Sequence, residues 1–141
     1  MAEGTTGPFV ELTEKECHDR LAARTTGRVG WSAGGNQHIL PVTYTVHAGK
    51  IVFRTSPYGS LSELIRPMAA AFEVDEIDEV SGDGWSVLVQ GRAEGVVRVA
   101  DLGDLWTTNE LAPWAPGTRN VFVAITPHTI SGRSLRAPFA R

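Results

Sequence analysis

The sequence predicts an α+β domain built around an antiparallel β-barrel. Short apolar segments rich in Val, Ile, Phe and Tyr recur along the chain, and Gly, Asn and Asp residues mark turns between them. Most of the intervening stretches are too short for the helical crossovers that a parallel sheet requires. Because one face of these segments is apolar and only two or three stretches have a helical pattern, we expect six strands with short flanking helices.

The elements can be placed in order along the chain. Thr13 and Glu16 form a capping box, which begins a short amphipathic helix that ends near Thr25. Strands are predicted at Arg28–Ser32, His38–Val46, Ile51–Thr55, Ala69–Val74, Trp85–Arg98 and Asn120–Thr126. Further helices are predicted at Ser60–Arg66 and Ala100–Leu111. Gly91 permits a bend or bulge in the long fifth strand.

The chain of 141 residues has the length of one domain. Residues 1–10 are small and polar, and we expect a flexible N-terminus followed by a single domain over residues 11–141. The single cysteine, Cys17, cannot form an internal disulfide, and the first residues lack the basic region and apolar core of a secretion signal. No apolar run approaches the length of about 18 residues that a spanning helix needs. We therefore expect a cytoplasmic protein with no membrane association.

Composition and motif spacing argue against several classes of function. A net charge of −3 gives no electrostatic reason to expect nucleic-acid binding. The four histidines lack the close pairs or nearby cysteines of a zinc site, and the acidic run Asp75–Glu79 is more typical of a solvated strand end than of a calcium loop. The sequence has no P-loop, no Gly-x-Ser-x-Gly elbow and no recognisable Ser/His/Asp spacing. We expect no metal site, and no catalytic residue can be named.

Pro41 indicates an interruption in the predicted sheet. It lies inside the second predicted strand, and proline has no N–H to donate to a ladder. The sheet is therefore expected to have an edge, a bulge or an opening at this point, where another group can approach the main chain.

The segment after the third predicted strand has the residues of an anion site. The strand ends in Arg54 and Thr55, and after a turn Ser60 and Glu63 mark the start of a helix. Helix N-termini present N–H groups to anions, and Arg54, Thr55 and Ser60 add a guanidinium and hydroxyl donors. These residues suit a phosphate, although they equally describe an ordinary capped helix with a surface arginine.

Five short pieces occur in an order that is typical of one protein family. They are Val29–Trp31, Leu40–Tyr44, Val52–Thr55, Ala71–Asp78 and Gly84–Glu94. With these pieces, spread over residues 12–130, the chain resembles the flavin-binding split-barrel family related to pyridoxamine 5′-phosphate oxidase. The resemblance implies a six-stranded split barrel that forms a homodimer and holds one FMN in each of two clefts between the subunits.

The resemblance also implies roles for individual residues. The flavin ring would be bordered by Pro41, Val42 and Thr43, and the phosphate would be held by Arg54, Thr55, Ser56, Gly59 and Ser60. Ser86 would face the ring from the long strand. Weaker candidates, in segments that vary within the family, are Trp85, Trp114 and Arg119.

Two positions depart from the family pattern. Members often carry a lysine at the position of Ser60 and an asparagine at the position of Thr43. Losing the lysine removes one positive charge from a contact to a dianion, a loss of about 1–3 kcal/mol in binding. Arg54 compensates for this loss if its side chain points into the loop.

The function implied by the resemblance is that of an FMN-dependent oxidoreductase acting on a small, partly aromatic molecule. The flavin would carry the redox chemistry, with Trp85 and Trp114 as walls for the substrate. Two alternatives stay open. One is use of the deazaflavin F420, whose acidic tail would need a basic groove lined by Arg24, Arg28 and Arg66. The other is a non-catalytic flavin-binding or interaction module. The tryptophans at positions 31, 106 and 114 are candidates for the dimer interface.

Overall fold

The computed structural model describes residues 9–96 and 121–136. Its strands are β1 (Phe9–Glu11), β2 (Thr26–Ala33), β3 (Asn36–His47), β4 (Lys50–Thr55), β5 (Met68–Ile77), β6 (Gly84–Gly95) and β7 (Val121–Leu135). Its helices are α1 (Glu14–Ala22) and a 3₁₀ helix (Ser60–Ile65). The predicted helix Ala100–Leu111 lies outside the described residues, as do Trp106, Trp114 and Arg119.

All strand pairings are antiparallel, and six strands close into a ring. The order along the sheet is β1-β7-β4-β3-β2-β5-β6, and β6 also pairs with β7. The short β1 is a seventh strand at the edge, and among the described residues it pairs only with the end of β7. The predicted α+β barrel is thus mostly β, with a ring of six strands as expected and one additional strand.

Alternate residues of each strand point into the ring and form the main core. Its largest fully buried side chains include Tyr44, Phe53 and Phe72, and the Tyr44 and Phe72 rings meet edge to face with centroids 4.7 Å apart. Helix α1 adds Cys17 and Leu21 to this core, as its pattern predicts. The Tyr44 hydroxyl donates a 2.6 Å hydrogen bond to the carbonyl of Leu21, which attaches the helix to the barrel.

The capping box of α1 is confirmed. The Glu16 amide donates to the Thr13 hydroxyl at 3.1 Å, and the Thr13 amide donates to the Glu16 carboxylate at 2.8 Å. These two bonds satisfy main-chain donors that have no partner inside the helix. Neither helix that the structure describes is long and apolar enough to reach across a membrane.

The bulge predicted at Gly91 is present. The β6–β7 register shifts between Gln90 and Gly91, and Gly91 lies opposite Pro127. A Cβ atom at Gly91 would come within 2.1 Å of the Thr126 carbonyl oxygen, so only glycine fits here. The bulge lets β7 continue past its proline.

Most element boundaries differ from the sequence prediction by a few residues, and two of the differences are related to each other. The last strand was predicted to end at Thr126, but β7 runs on to Leu135 because the bulge accommodates Pro127. The loose N-terminus was predicted through Val10, but Phe9–Glu11 pairs with β7. The β1–β7 pairing depends on the extension of β7, since the β7 residues that pair with β1 lie beyond Pro127.

The β3–β4 hairpin turns through Ala48 and Gly49, both with positive φ, at 52° and 78°. Two such residues in sequence are the requirement of a type I′ turn. Glycine adopts this conformation freely, whereas alanine does so at a cost.

Candidate functional site

The strands β3 and β4 separate part-way along their length. Their ladder pairs Tyr44–His47 with Lys50–Phe53 and ends there, among the residues that the structure describes. Before this point β3 pairs with β2, and beyond it Arg54 and Thr55 pair with β7. The opening expected at Pro41 is therefore present, and we call the space between Pro41–Thr43 and Arg54–Thr55 the β3–β4 gap.

Main-chain directions explain why proline is tolerated in β3. The Tyr44 amide donates to the Thr25 carbonyl at 2.9 Å, so the main-chain groups of Tyr44 face β2. Main-chain groups alternate in direction along a strand, so those of Val42 also face β2, whereas those of Pro41 and Thr43 face the gap. The missing N–H of Pro41 therefore removes no bond from the β2–β3 ladder.

Strand alternation divides the predicted contact residues between two faces. Val42 is 5% exposed and Thr55 is fully buried, and both side chains point into the barrel. The Thr55 hydroxyl donates to the neighbouring Ser56 carbonyl at 3.3 Å. Pro41 is exposed and Thr43 is half-buried on the outer face. The side chains of Val42 and Thr55 are thus not available to a group that lies outside the barrel.

Arg54 lies on the same outer face as Pro41 and Thr43. Its guanidinium is 5.5 Å from the centroid of the Phe122 ring. Phe122 belongs to a small apolar cluster on the outer face of β4 and β7, together with Val52 and Ala124. The Arg54 side chain therefore lies on the outer face of the barrel, against Phe122.

The loop after β4 brings hydroxyl and amide groups to the end of the gap. Ser56 is half-buried, and its Oγ accepts a hydrogen bond from the Tyr58 amide at 3.3 Å. Gly59 and Ser60 are exposed. The Ser62 hydroxyl donates to the Gly59 carbonyl at 2.6 Å, which closes the loop onto the 3₁₀ helix.

The helix start predicted from Ser60 and Glu63 is wrong in detail. The N-cap is Gly59, no side chain caps the helix, and the helix is a six-residue 3₁₀ helix. The Glu63 carboxylate accepts a hydrogen bond from Trp31 Nε1 at 2.8 Å instead of turning back to its own helix. A short 3₁₀ helix has little macrodipole, so charge attraction to an anion here depends on side chains.

Ser86 and Trp85 do not lie beside the β3–β4 gap within one chain. They belong to β6, which is separated from β3 by β2 and β5 and from β4 by β7. Ser86 pairs with Arg133 of β7, far along that strand from Phe122, which pairs with Arg54. The Arg20 guanidinium lies 4.7 Å from the centroid of the Trp85 ring, and Trp85 Nε1 donates to Glu76 at 3.4 Å. Trp85 also lines a groove of about 790 Å³, none of whose lining residues comes from β3 or β4.

The structure shows one charged cluster that the sequence analysis missed. On the outer face of β2 and β5, an Arg28 guanidinium nitrogen lies 3.8 Å from Glu73 Oε1 and 3.7 Å from Asp75 Oδ2. Burial, and then the neighbouring Asp75, raises the pKa of Glu73 to about 7. The signal in the sequence was two acidic residues spaced by two in a strand, which places both on one face. The acidic run Asp75–Glu79 was expected to be a solvated strand end. Glu76–Glu79 are exposed, as expected, whereas Asp75 is half-buried.

Two of the three arginines proposed for a basic groove face carboxylates. Arg28 contacts the pair just described, and Arg24 lies 3.7 Å from Glu76. Trp31, a predicted interface residue, is 5% exposed and belongs to the core. Among the described residues no cluster of His, Cys, Asp or Glu is arranged to hold a metal ion.

The family model described as pyridoxamine 5′-phosphate oxidase matches residues 13–134. The chain belongs to the pyridoxamine 5′-phosphate oxidase family. The resemblance inferred from the five short sequence pieces is therefore confirmed.

Relatives of this oxidase-family chain include proteins from mycobacteria and corynebacteria. The uncharacterized protein Rv0080 from Mycobacterium tuberculosis is 31% identical over 129 residues, covering 87% of this chain and 83% of that protein. The structure of an FAD-binding protein from Mycobacterium smegmatis matches with a TM-score of 0.75 at 31% identity, covering 90% of this chain and 99% of that one. A Corynebacterium glutamicum protein whose name refers to pyridoxamine 5′-phosphate oxidase matches with a TM-score of 0.76 at 30% identity, covering 98% and 100% of the two chains.

Proposed function

We propose that this protein binds a flavin nucleotide at the β3–β4 gap and uses it as an oxidoreductase acting on a small molecule. The observation that carries the proposal is the separation of β3 from β4, which places Pro41, Thr43 and Arg54 around one opening next to the Ser56–Ser60 loop. The family supports a flavin, and the M. smegmatis relative is named as an FAD-binding protein.

The residues at the gap fit the parts that all flavin nucleotides share. A planar ring needs an apolar surface and main-chain hydrogen-bonding groups. The main-chain groups of Pro41 and Thr43 face the gap. A phosphate needs a cation and short donors, which Arg54 and the hydroxyls of Ser56 and Ser60 would supply. Family members often carry a lysine at the position of Ser60. Arg54 lies on the outer face of β4, where its charge would replace the charge of that lysine.

The protein's own contribution to the reaction would be binding and orientation. When bound, a flavin supplies the acceptance and donation of electrons or hydride. Arg54 would offset the phosphate charge, while the apolar cluster of Val52, Phe122 and Ala124 would keep water from the arginine's surroundings. No described side chain at the gap is a clear proton donor or acceptor, so we propose no catalytic residue.

The proposed cofactor is FMN, with FAD as the second candidate. The gap and loop account for one phosphate, which suits FMN, whereas the name of the M. smegmatis relative favours FAD. F420 is less favoured, because Arg24 and Arg28 face carboxylates and do not form a free basic groove.

We further propose that the protein is a homodimer in which Ser86, Trp85, Trp114 and Arg119 reach the flavin of the other subunit. Within one chain Ser86 lies opposite Arg133, far along β7 from the residues that pair with Arg54 and Thr55, so a second copy is the route by which it could take part. The outer face of the β2–β3 sheet exposes Ile39 at 70%, a side chain suited to burial against a partner. Light scattering that gives the mass of one chain would contradict the shared cleft.

The deciding experiment is to purify the protein, record its absorption spectrum and identify any cofactor released by heat. Apo-protein is then titrated with FMN, FAD and F420. We expect a flavin spectrum, and we expect Arg54→Ala to weaken FMN binding at least about tenfold, the effect of losing one charge-assisted contact. Arg92→Ala, which removes an exposed arginine from β6, is the matched control. A colourless protein that binds none of the three at micromolar concentration would refute the proposal.

A further inference from the structure

Trp31, His38 and Glu63 connect the β2–β3 hairpin to the 3₁₀ helix. Trp31 Nε1 donates a 2.8 Å hydrogen bond to Glu63 Oε1. The His38 ring stacks on the indole with centroids 4.9 Å apart and planes 17° from parallel, and His38 Nε2 lies 3.9 Å from the same Glu63 oxygen. The indole is buried in the core, so the carboxylate is tied to a rigid part of the barrel.

This contact lies at the base of the loop that is proposed to hold the phosphate. Glu63 follows Ser60 by three residues, in a helix that has no side-chain cap. Within the described residues, the helix is held to the barrel by the buried side chain of Leu64, by Leu61 and Ile65, which pack against the core, and by the bond from Trp31 to Glu63. The apolar contacts are not directional, whereas the hydrogen bond is, so it adds a restraint on the orientation of Glu63 and the residues next to it.

We propose that Glu63, held by Trp31, is a positioning residue for the cofactor phosphate. By adding a directional bond between the 3₁₀ helix and the barrel, it sets where the Gly59 and Ser60 main chain lies relative to Arg54. The bond also keeps the Glu63 carboxylate turned toward the indole and the imidazole, and so away from a bound dianion, which it would otherwise repel. This inference rests on the proposed flavin binding at the β3–β4 gap.

The test compares FMN with riboflavin, which has the same ring and ribityl chain but no phosphate. A residue that acts through the phosphate loop alters the ratio of the two dissociation constants, whereas general damage to the barrel weakens both ligands together. The variants are Glu63→Ala, which removes the acceptor, Glu63→Gln, which keeps an oxygen acceptor, and Trp31→Phe, which removes the N–H donor together with part of the buried indole. Asp19→Ala, which breaks the exposed Lys15–Asp19 pair on α1, is the control.

We expect Glu63→Ala and Trp31→Phe to weaken FMN about tenfold, equal to about 1.4 kcal/mol, with riboflavin unchanged. Glu63→Gln and Asp19→Ala should keep the wild-type ratio. If the wild type prefers FMN and Glu63→Ala keeps the same preference, the positioning role is refuted while flavin binding stands. If the wild type binds neither ligand, the proposed function fails and this inference fails with it.

Discussion

Replacing Glu73 by glutamine tests whether the Arg28–Glu73–Asp75 cluster holds a proton near neutral pH. Burial, with Asp75 as the next contribution, raises the pKa of Glu73 to about 7 from the ordinary 4.5, despite the opposing effect of Arg28. Between these two values the folded protein keeps a proton that the unfolded chain releases. The free energy of unfolding contributed by Glu73 therefore falls as the pH rises from about 4.5 to 7, and is level above that.

The size of this effect follows from the pKa difference and the exposure of the side chain. A change from 4.5 to about 7 sets an upper bound of about 3 kcal/mol. Because the Glu73 side chain is 33% exposed, solvent screening reduces the expected effect to about 1 kcal/mol. Glutamine resembles the protonated acid and cannot ionise. Glu73→Gln should thus match the wild type near pH 4.5 and exceed its free energy of unfolding by about 1 kcal/mol at pH 8.

The measurement is urea denaturation of both proteins at several pH values across this window. Glu79→Gln removes an exposed carboxylate from the β5–β6 turn and controls for the change in net charge. Asp75→Asn removes the carboxylate that adds to the rise in the pKa of Glu73. In that variant the free energy of unfolding should therefore fall at a lower pH than in the wild type. A constant difference between Glu73→Gln and wild type over the whole range would show that Glu73 is ionised at pH 5 in the folded protein, and the reasoning would be refuted.

Three further substitutions test the fold, each by urea denaturation. Ala48→Asn should raise the free energy of unfolding by about 0.5 kcal/mol, because asparagine tolerates the positive φ of 52° better than alanine; a loss of stability would contradict the turn geometry. Gly91→Ala should lower it by at least about 2 kcal/mol, since the new Cβ would overlap the Thr126 carbonyl, and a neutral result would place the bulge elsewhere. Tyr44→Phe should cost about 1–2 kcal/mol by leaving the Leu21 carbonyl without its buried donor, and an unchanged stability would mean that water replaces the hydroxyl.

The elements that the sequence predicted well are those governed by neighbours in the chain. The capping box at Thr13 and Glu16 depends on a spacing of three residues, and both of its bonds are present. The strands follow from alternation, which is a local pattern, and each predicted strand within the described residues is found. Pro41 alone predicted an edge, a bulge or an opening, since the missing donor restricts which side of the strand can be paired, and the structure has the opening.

The features that the sequence did not predict depend on partners far along the chain. Glu63 has the spacing of a capping box with Ser60, but its partner is Trp31, 32 residues earlier, and no local pattern indicates that bond. The length of β7 depends on Gly91 facing Pro127 across the sheet. From the neighbouring residues alone, Pro127 predicts the end of a strand. Only the pairing register of β6 and β7 shows that a bulge lets the strand continue through the proline.

The β3–β4 gap shows how one chain can keep a closed ring and still present main chain to a ligand. Each strand in a ring pairs on both sides, and β3 satisfies this by changing partners along its length, with β2 as far as Thr43 and β4 from Tyr44 onward. The ring stays closed through the Tyr44–His47 end of β3, while the longer segment before it leaves one side of its main chain to other groups. Pro41 lies in that segment, where its missing N–H faces the gap. The ladder already ends at Tyr44, so Pro41 does not end it, but a residue without an N–H cannot donate to a ladder that would resume there. The proline therefore helps to keep the candidate site open.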